Sequence, residues 1–413
     1  MTFTRKSAPL TPIEDNVFAI VRMAKKDIAE NGPENVVNAT IGSLYDEEGK
    51  LVALNSVFDH YDQIDKRTKA AYASGITGNE SYRAQVANWV LEDKVNLPHS
   101  VIATPGGTGA ISTTFFNILE QGQTVILPDI AWENYKLMAE QQNLDTAFYS
   151  MFDGDHFNMS SLKETVLKVK ETQDTLLIVI NDPCHNPTGY SMSRAEWKEL
   201  IAFLNEVSKD TAVCLLDDIA YIDYSAELET ARDYMEEFNN ITDNIMVIVA
   251  FSCSKTLTSY GMRCGAAILL AKQPELVRNA EIVYEKTARS MWSNIPNAAM
   301  ESFTWVTTEN KEEYMKEKQY YVDLLKQRAD IFTSEAKEAG LVTYPYRGGF
   351  FITIQIPDND FRDRYHALMM DNHIYTVCVD KGIRVGLCSL PVEKAKGLAA
   401  RMKDLMDQVG KEA

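Results

Sequence analysis

The chain predicts an α/β fold built on a mainly parallel sheet, and three observations carry that expectation. Four continuous apolar runs, at 124–129, 176–181, 212–217 and 245–251, are short and rich in β-branched residues. Runs of this kind mark strands covered on both faces. Longer amphipathic segments lie between them; 191–207 carries Trp197, Leu200, Ile201 and Leu204 at helical spacing. Strands alternating with helices give a parallel sheet flanked by helical layers. Third, polar residues gather just past the strand ends: Asp182-Pro-Cys-His-Asn-Pro-Thr-Gly189, then Asp218, then Ser252 to Lys255. Open α/β sheets bind ligands beyond the carboxyl ends of their strands, so these clusters point to one shared crevice.

Beyond 310 the pattern changes. A long charged helical segment covers 312–340, a short strand-rich stretch 348–356, and a final helix 391–409. We read a large domain at 49–310 and a smaller α+β domain at 311–413, completed by an N-terminal segment at 1–48. A chain of 413 residues exceeds what one hydrophobic core usually organises.

Charge narrows the partners. With 41 basic and 59 acidic side chains the formal charge is 41 − 59 = −18. An acidic surface repels phosphate backbones, and no basic stripe appears, so nucleic acid is not an expected partner. No apolar run reaches a bilayer span, and the opening residues 1–6 lack a signal-peptide core. The six cysteines (184, 214, 253, 264, 378 and 388) are scattered, without a CxxC pair. Reduced thiols in a cytoplasmic protein fit that spacing, and no metal site is expected.

Several residues carry candidate chemistry. Lys255 ends the run Ser252-Cys-Ser254-Lys255 after a buried strand. A lysine buried, charged and unpaired there is costly, and a Schiff base to an aldehyde cofactor removes the cost. Taken alone, the side chain reads as a lysine reaching solvent from a strand end. Asp218 ends the preceding strand, with Tyr221 three residues on. A carboxylate against a pyridine nitrogen keeps that nitrogen protonated, and a phenol beside a ring oxygen tunes the imine. Asn186, in Asn186-Pro-Thr-Gly189, could donate to the same oxygen, although those residues also suit a plain turn. Thr104-Pro-Gly-Gly-Thr-Gly109 precedes a helical run from about residue 110 and offers backbone N–H groups to a phosphate. The stretch has no Walker A ending and is not GxGxxG, so a dinucleotide is not indicated. Arg263 could complete that cradle with Ser252 and Ser254. Arg384, in Gly382-Ile-Arg-Val-Gly386, and Arg289 are candidate carboxylate clamps; each alone could be a surface charge.

These residues in this order resemble the fold-type-I pyridoxal phosphate (PLP) enzymes, and within them the class I aspartate and aromatic amino acid aminotransferases. The resemblance runs from about residue 37 to 386 and rests on joint spacing: 32 residues from Asn186 to Asp218, 37 to Lys255, and 129 to Arg384. It implies a mainly parallel seven-stranded sheet between helices, plus a smaller α+β domain. It implies that Lys255 binds PLP and then moves the proton between substrate and cofactor. Asp218 would pair with the pyridinium, Tyr221 and Asn186 would contact the ring oxygen, and Trp132 would stack on the ring. Gly107, Thr108, Ser252, Ser254 and Arg263 would hold the phosphate. Asn134 would lie near the substrate, Gly42 would meet its carboxylate through backbone, and Arg384 would clamp the α-carboxylate. In a homodimer, Tyr72 would reach the partner's phosphate, and Arg289 the side-chain carboxylate of the partner's substrate. Two residues depart from the family: Tyr135 stands where a histidine usually contacts the ring-nitrogen aspartate, and Asn181 replaces another histidine. Tyr346-Arg-Gly-Gly-Phe-Phe351 also differs from the aspartate type, in a way that suits a larger side chain.

The implied activity is a ping-pong amino transfer from aspartate or an aromatic amino acid to a 2-oxo acid, with 2-oxoglutarate as acceptor. A PLP lyase or decarboxylase on the same fold would use the same cofactor residues. A PLP-binding regulator would need a DNA-binding segment, which is not visible. A phosphate-binding module of another class would leave Lys255, Asp218 and Asn186 unexplained.

Overall fold

The computed structural model describes residues 3–5, 10–12 and 16–411; of the opening residues read for signal character, 1, 2 and 6 lie outside the described residues. Seven strands form the main sheet: β1 (His99–Pro105), β2 (Thr124–Pro128), β3 (Asp145–Tyr149), β4 (Thr175–Ile180), β5 (Ala212–Asp218), β6 (Ile245–Ser252) and β7 (Cys264–Ala271). Their order is β1-β7-β6-β5-β4-β2-β3, and only β7 runs against its neighbours. The expected mainly parallel seven-stranded sheet is therefore the one observed. All four strands read from apolar runs are present, with ends shifted by one residue at most.

Alternate residues of each strand enter opposite layers, as strand geometry requires. Ile178 and Ile180 pack with Trp197 and Leu200 of the helix Arg194–Val207. Leu177 and Val179 join Phe115 of the helix Gly106–Ile118 (α1) and Tyr284 of the helix Pro274–Met291 (α2). This parity separates two adjacent acids at the end of β5. Asp218 follows Leu216 to the α1 face, where Tyr135 waits, while Asp217 points to the other face and Tyr234.

A second, antiparallel sheet comprises β8 (Phe351–Gln355), β9 (Val377–Val379) and β10 (Gly382–Gly386), in the order β8-β10-β9. The 29-residue helix Lys311–Ala339 (α3) packs on the C-terminal helix Leu398–Lys411 and on the turn Leu387–Ser389 that follows β10. Val37–Asn38 pairs in parallel with Ile374–Tyr375, which ties the N-terminal segment to this part of the molecule.

Three expectations need correction. The glycine-rich stretch is not a loop before a helix at residue 110; α1 begins at Gly106, so Gly106, Gly107 and Gly109 form its first turn. The helix expected at 191–207 starts at Arg194, because Ser193 caps it in a reciprocal box with Glu196. The final helix at 391–409 is broken into Val392–Ala395 and Leu398–Lys411, since Lys396 is extended and Gly397 takes φ +71°. Among the described residues no helix is long and apolar enough to cross a membrane, and all six cysteines are free thiols.

Candidate active site

The crevice forms at the carboxyl ends of the central strands. Strand β5 delivers Asp218, 4% exposed. Its Oδ2 accepts a 2.5 Å hydrogen bond from the Tyr135 hydroxyl, and its Oδ1 one of 3.1 Å from the Ala220 N–H. Burial pushes this carboxyl up to about 6, while Tyr135, Ala220 and the Lys255 charge pull it down. Asn181, just past β4, donates to the Asp218 carbonyl at 2.6 Å and accepts from the Asn186 N–H at 2.8 Å. Tyr135 and Asn181 thus both engage Asp218. Tyr135 reaches the carboxylate through its phenol, and Asn181 locks the Asn186 turn to the end of β5.

Strand β6 ends at Ser252 and passes into a single turn, Cys253–Thr256, that presents Lys255. The Lys255 amine donates to the Gly42 carbonyl at 2.8 Å. The rings of Tyr260, Tyr221 and Phe350 surround it, with centroids at 4.8, 5.4 and 5.7 Å. Burial brings the amine down to about 8; Arg384 and Arg263 act in the same sense, and Cys388 and Asp218 oppose. Tyr221 is buried against Phe350 and Phe351, and burial holds its phenol well above the ordinary range, so it is neutral.

Register builds the anion cradle. Gly265 pairs with Ser252, and Cys264 with Pro105, so β1, β7 and β6 bring Pro105, Arg263 and Ser252 to one edge. Arg263 donates to Ser254 Oγ at 3.1 Å, to the Tyr260 carbonyl at 2.8 Å and to the Pro105 carbonyl at 3.3 Å. Gly106 has φ +72°, and a Cβ there would lie 2.4 Å from Arg263 Nη2. A Cβ on Gly107 would lie 3.1 Å from Ser252 Cβ. With Thr108 exposed beside them, the first N–H groups of α1, two serines and a guanidinium face the same space.

Opposite stands Arg384 of β10, 9% exposed. Its Nη1 donates to Asn186 Oδ1 at 3.3 Å and its Nη2 to the Thr40 carbonyl at 3.1 Å, while Nε has no partner. Phe351 lies beneath the guanidinium at 4.3 Å. A buried cation held only by neutral groups calls for an anion.

The structure brings Lys255, Asp218, Tyr221, Asn186, Ser252, Ser254, Arg263, Arg384 and Gly42 together with the first turn of α1. Trp132 meets Tyr135 edge to face at 5.5 Å, and Asn134 begins the helix that carries Tyr135. Tyr72 and Arg289 are not part of this cluster. Tyr72 is 83% exposed, and Arg289, also exposed, donates to Ser293 at the end of α2. Sequence reasoning missed Tyr260, Thr40 and Cys388. Tyr260 lies between Lys255 and Arg263 and was open to notice; Thr40 enters through its carbonyl, which side-chain chemistry does not reveal. Phe350 and Phe351 belong to the stretch already singled out as unusual.

A lysine, a buried carboxylate and an anion cradle in one crevice are the donor set that pyridoxal phosphate needs, one for each end of the ring system and one for its phosphate. The fit is physical as well as chemical. The cradle is clear because Gly106 and Gly107 carry no side chain, and the lysine is already biased toward its neutral, reactive form.

Comparison with known proteins agrees. The family model "Aminotransferase class I and II" matches residues 34–402. The mitochondrial aspartate aminotransferase of Schizosaccharomyces pombe is 26% identical over 70% of this chain and 64% of its own length. The Escherichia coli K12 aspartate aminotransferase is 26% identical over 63% and 65%. The chain thus spans just under two thirds of the length of these curated relatives. Among solved structures, an aminotransferase from Anaerococcus prevotii is 36% identical, with TM-score 0.94, over 98% of this chain and 99% of its own. The aromatic-amino-acid aminotransferase of Burkholderia pseudomallei, solved covalently bound to pyridoxal phosphate, is 20% identical with TM-score 0.80 over 98% and 100%. At that identity the last likeness is one of fold.

Proposed function

Since the chain belongs to the class I and II aminotransferases, we propose that it moves the amino group of aspartate or an aromatic amino acid to a 2-oxo acid. The acceptor in this reading is 2-oxoglutarate, the cycle is ping-pong, and the cofactor is pyridoxal phosphate carried on Lys255. One observation carries the reading: a half-buried lysine whose amine is brought down to about 8 lies in one crevice with a buried carboxylate, Asp218, and a buried guanidinium without an anion, Arg384.

When bound, the cofactor supplies an aldehyde carbon for the amino group and a ring that withdraws electrons from the substrate α-carbon. The chain does the rest. Asp218 would keep a proton on the ring nitrogen. Tyr221, held neutral, and Asn186 would donate to the ring oxygen. The first turn of α1, with Gly107, Thr108, Ser252, Ser254 and Arg263, would hold the phosphate, and Trp132 would cover the ring. Arg384 would grip the α-carboxylate beside Gly42. Lys255, once its amine is free, would take and return the proton of the substrate α-carbon; an amine brought down to about 8 suits both directions. The rings of Tyr221, Tyr260 and Phe350 exclude water from that amine.

The assembly in this reading is a cytoplasmic homodimer, with residues 49–310 as the large domain and the remainder as the small one. The exposure of Tyr72 and Arg289 leaves both free to complete a second protomer's site. The test is a panel of amino acids offered to the PLP-loaded protein, following loss of the visible absorbance and its return on adding 2-oxoglutarate. Loss with aspartate or an aromatic donor and return with 2-oxoglutarate are expected. Loss that no 2-oxo acid restores, with release of carbon dioxide or ammonia, would favour a lyase or decarboxylase.

A further inference from the structure

A second lysine lies directly behind the first. Lys318, on α3, is 1% exposed. Its hydrogen-bond partners are the main-chain carbonyls of Thr256, at 2.6 Å, and Lys255, at 3.4 Å. The face of Tyr224 lies 3.8 Å away, so an ammonium finds an acceptor for each of its three protons. The same turn is gripped from other sides. Tyr314, one turn earlier on α3, donates to the Thr256 carbonyl at 2.7 Å. The Thr256 hydroxyl donates to Asp223 at 2.6 Å, and Asp223 in turn accepts from Arg232 at 2.6 Å and Trp89 at 3.2 Å.

For stability alone this is a poor use of the position. A buried amine held by two neutral carbonyls is costly, and an apolar side chain of similar volume would fill the space at lower cost. Burial indeed brings the Lys318 amine down to about 7, with the Asp223 charge opposing and Arg232 adding to the effect. What the lysine does achieve is directional. It acts on the peptide units of the one residue whose side chain must reach the cofactor and on the next.

We propose that Lys318 is a positioning residue for Lys255. By holding the carbonyls of residues 255 and 256 it fixes the turn from which the Lys255 amine enters the ring cage formed by Tyr221, Tyr260 and Phe350. The proposal rests on the reading of Lys255 given above. The contact comes from α3, outside the motif set around Lys255.

The test uses the PLP-loaded protein with Lys318→Met and the conservative Tyr314→Phe, which removes the other side-chain donor to Thr256. Two readouts separate positioning from mere stability. They are the pH midpoint of the visible absorbance of lysine-bound cofactor, and the isotope effect with an α-deuterated donor. For Lys318→Met the midpoint should move by more than about 0.5. Its kcat should fall by about ten- to a hundredfold, the scale of a small misplacement of a reacting group, with an enlarged isotope effect and KM within about twofold. Tyr314→Phe should move the same readouts in the same direction by less. Parent-like midpoints and isotope effects in the folded variants overturn the proposal, whatever happens to the melting temperature. If Lys318→Met does not fold, Tyr314→Phe decides alone by the same criteria. If the parent shows no lysine-bound absorbance, the reading of Lys255 fails first, and the proposal fails with it.

Discussion

The Tyr135 hydroxyl donates a 2.5 Å hydrogen bond to Asp218 Oδ2, and both groups are buried. The bond pulls the Asp218 carboxyl down against burial, which favours the carboxylate that a protonated ring nitrogen requires. Tyr135→Phe leaves burial less opposed, so the carboxyl rises above its value of about 6 and holds that proton less well. A hydrogen bond to a charged group contributes about 1.5–3 kcal/mol. Equilibrium titration of the cofactor-free variant with pyridoxal phosphate should therefore show affinity weakened about ten- to a hundredfold. Unchanged affinity would remove Tyr135 from the account.

The amine of Lys255 must be neutral to attack an aldehyde, and burial brings it from its ordinary 10.5 down to about 8. Uptake of pyridoxal phosphate by the cofactor-free protein should accordingly speed up with pH and level off with a midpoint about 8. The sign for stability follows. A lysine whose folded pKa is depressed penalises the folded state below about 8, and the penalty fades between there and 10.5. Cofactor-free Lys255→Met should melt higher than the cofactor-free parent at pH 7, with the gap narrowing above pH 8; calorimetry across that range checks it.

Arg384 spends Nη1 on Asn186 and Nη2 on the Thr40 carbonyl, stacks on Phe351, and leaves Nε free. A lysine offers one point charge and no planar fork, so Arg384→Lys is not a conservative change here. Disrupting a buried, hydrogen-bonded charge contact costs about 2–5 kcal/mol. Steady-state kinetics should show kcat/KM for the amino donor lowered at least about thirtyfold, while cofactor absorbance stays close to the parent's.

Gly106 stands at φ +72°, with its missing Cβ 2.4 Å from Arg263 Nη2. Gly106→Ala meets two costs, a left-handed backbone of about 1–2 kcal/mol and displacement of the guanidinium that forms the cradle. The variant should melt lower and bind inorganic phosphate more weakly than the parent in the cofactor-free state. A variant matching the parent in both would contradict the assignment of this turn as the anion site.

The parts of the fold legible in the sequence were those whose signal is local. The apolar runs that became β2, β4, β5 and β6 are uninterrupted and buried on both faces. Strand β3 escaped notice because Asp145-Thr-Ala-Phe-Tyr149 at the sheet edge is mixed and half-buried. The run 264–271 opens on Cys-Gly-Ala-Ala, small residues with little strand preference, so its local signal is weak. Yet that antiparallel strand is what sets Arg263 beside Ser252 and Pro105. The anion-facing role of the glycine-rich stretch is legible, but its three glycines suggest a loop, whereas Gly106 at φ +72° already opens the helix. The site itself was legible as a set of residue types in order. Its environment was not: that Tyr135 bonds Asp218, that Asn181 bridges Asp218 and Asn186, and that Lys318 reaches back 63 residues to the Lys255 carbonyl are products of packing.

The central claim is that Lys255 carries the cofactor. The PLP-loaded protein can be reduced with borohydride, digested, and mapped by mass spectrometry for the pyridoxyl-lysine it contains. The account predicts the label on Lys255. A label on Lys318 or any other lysine in its place, or none at all, would contradict it.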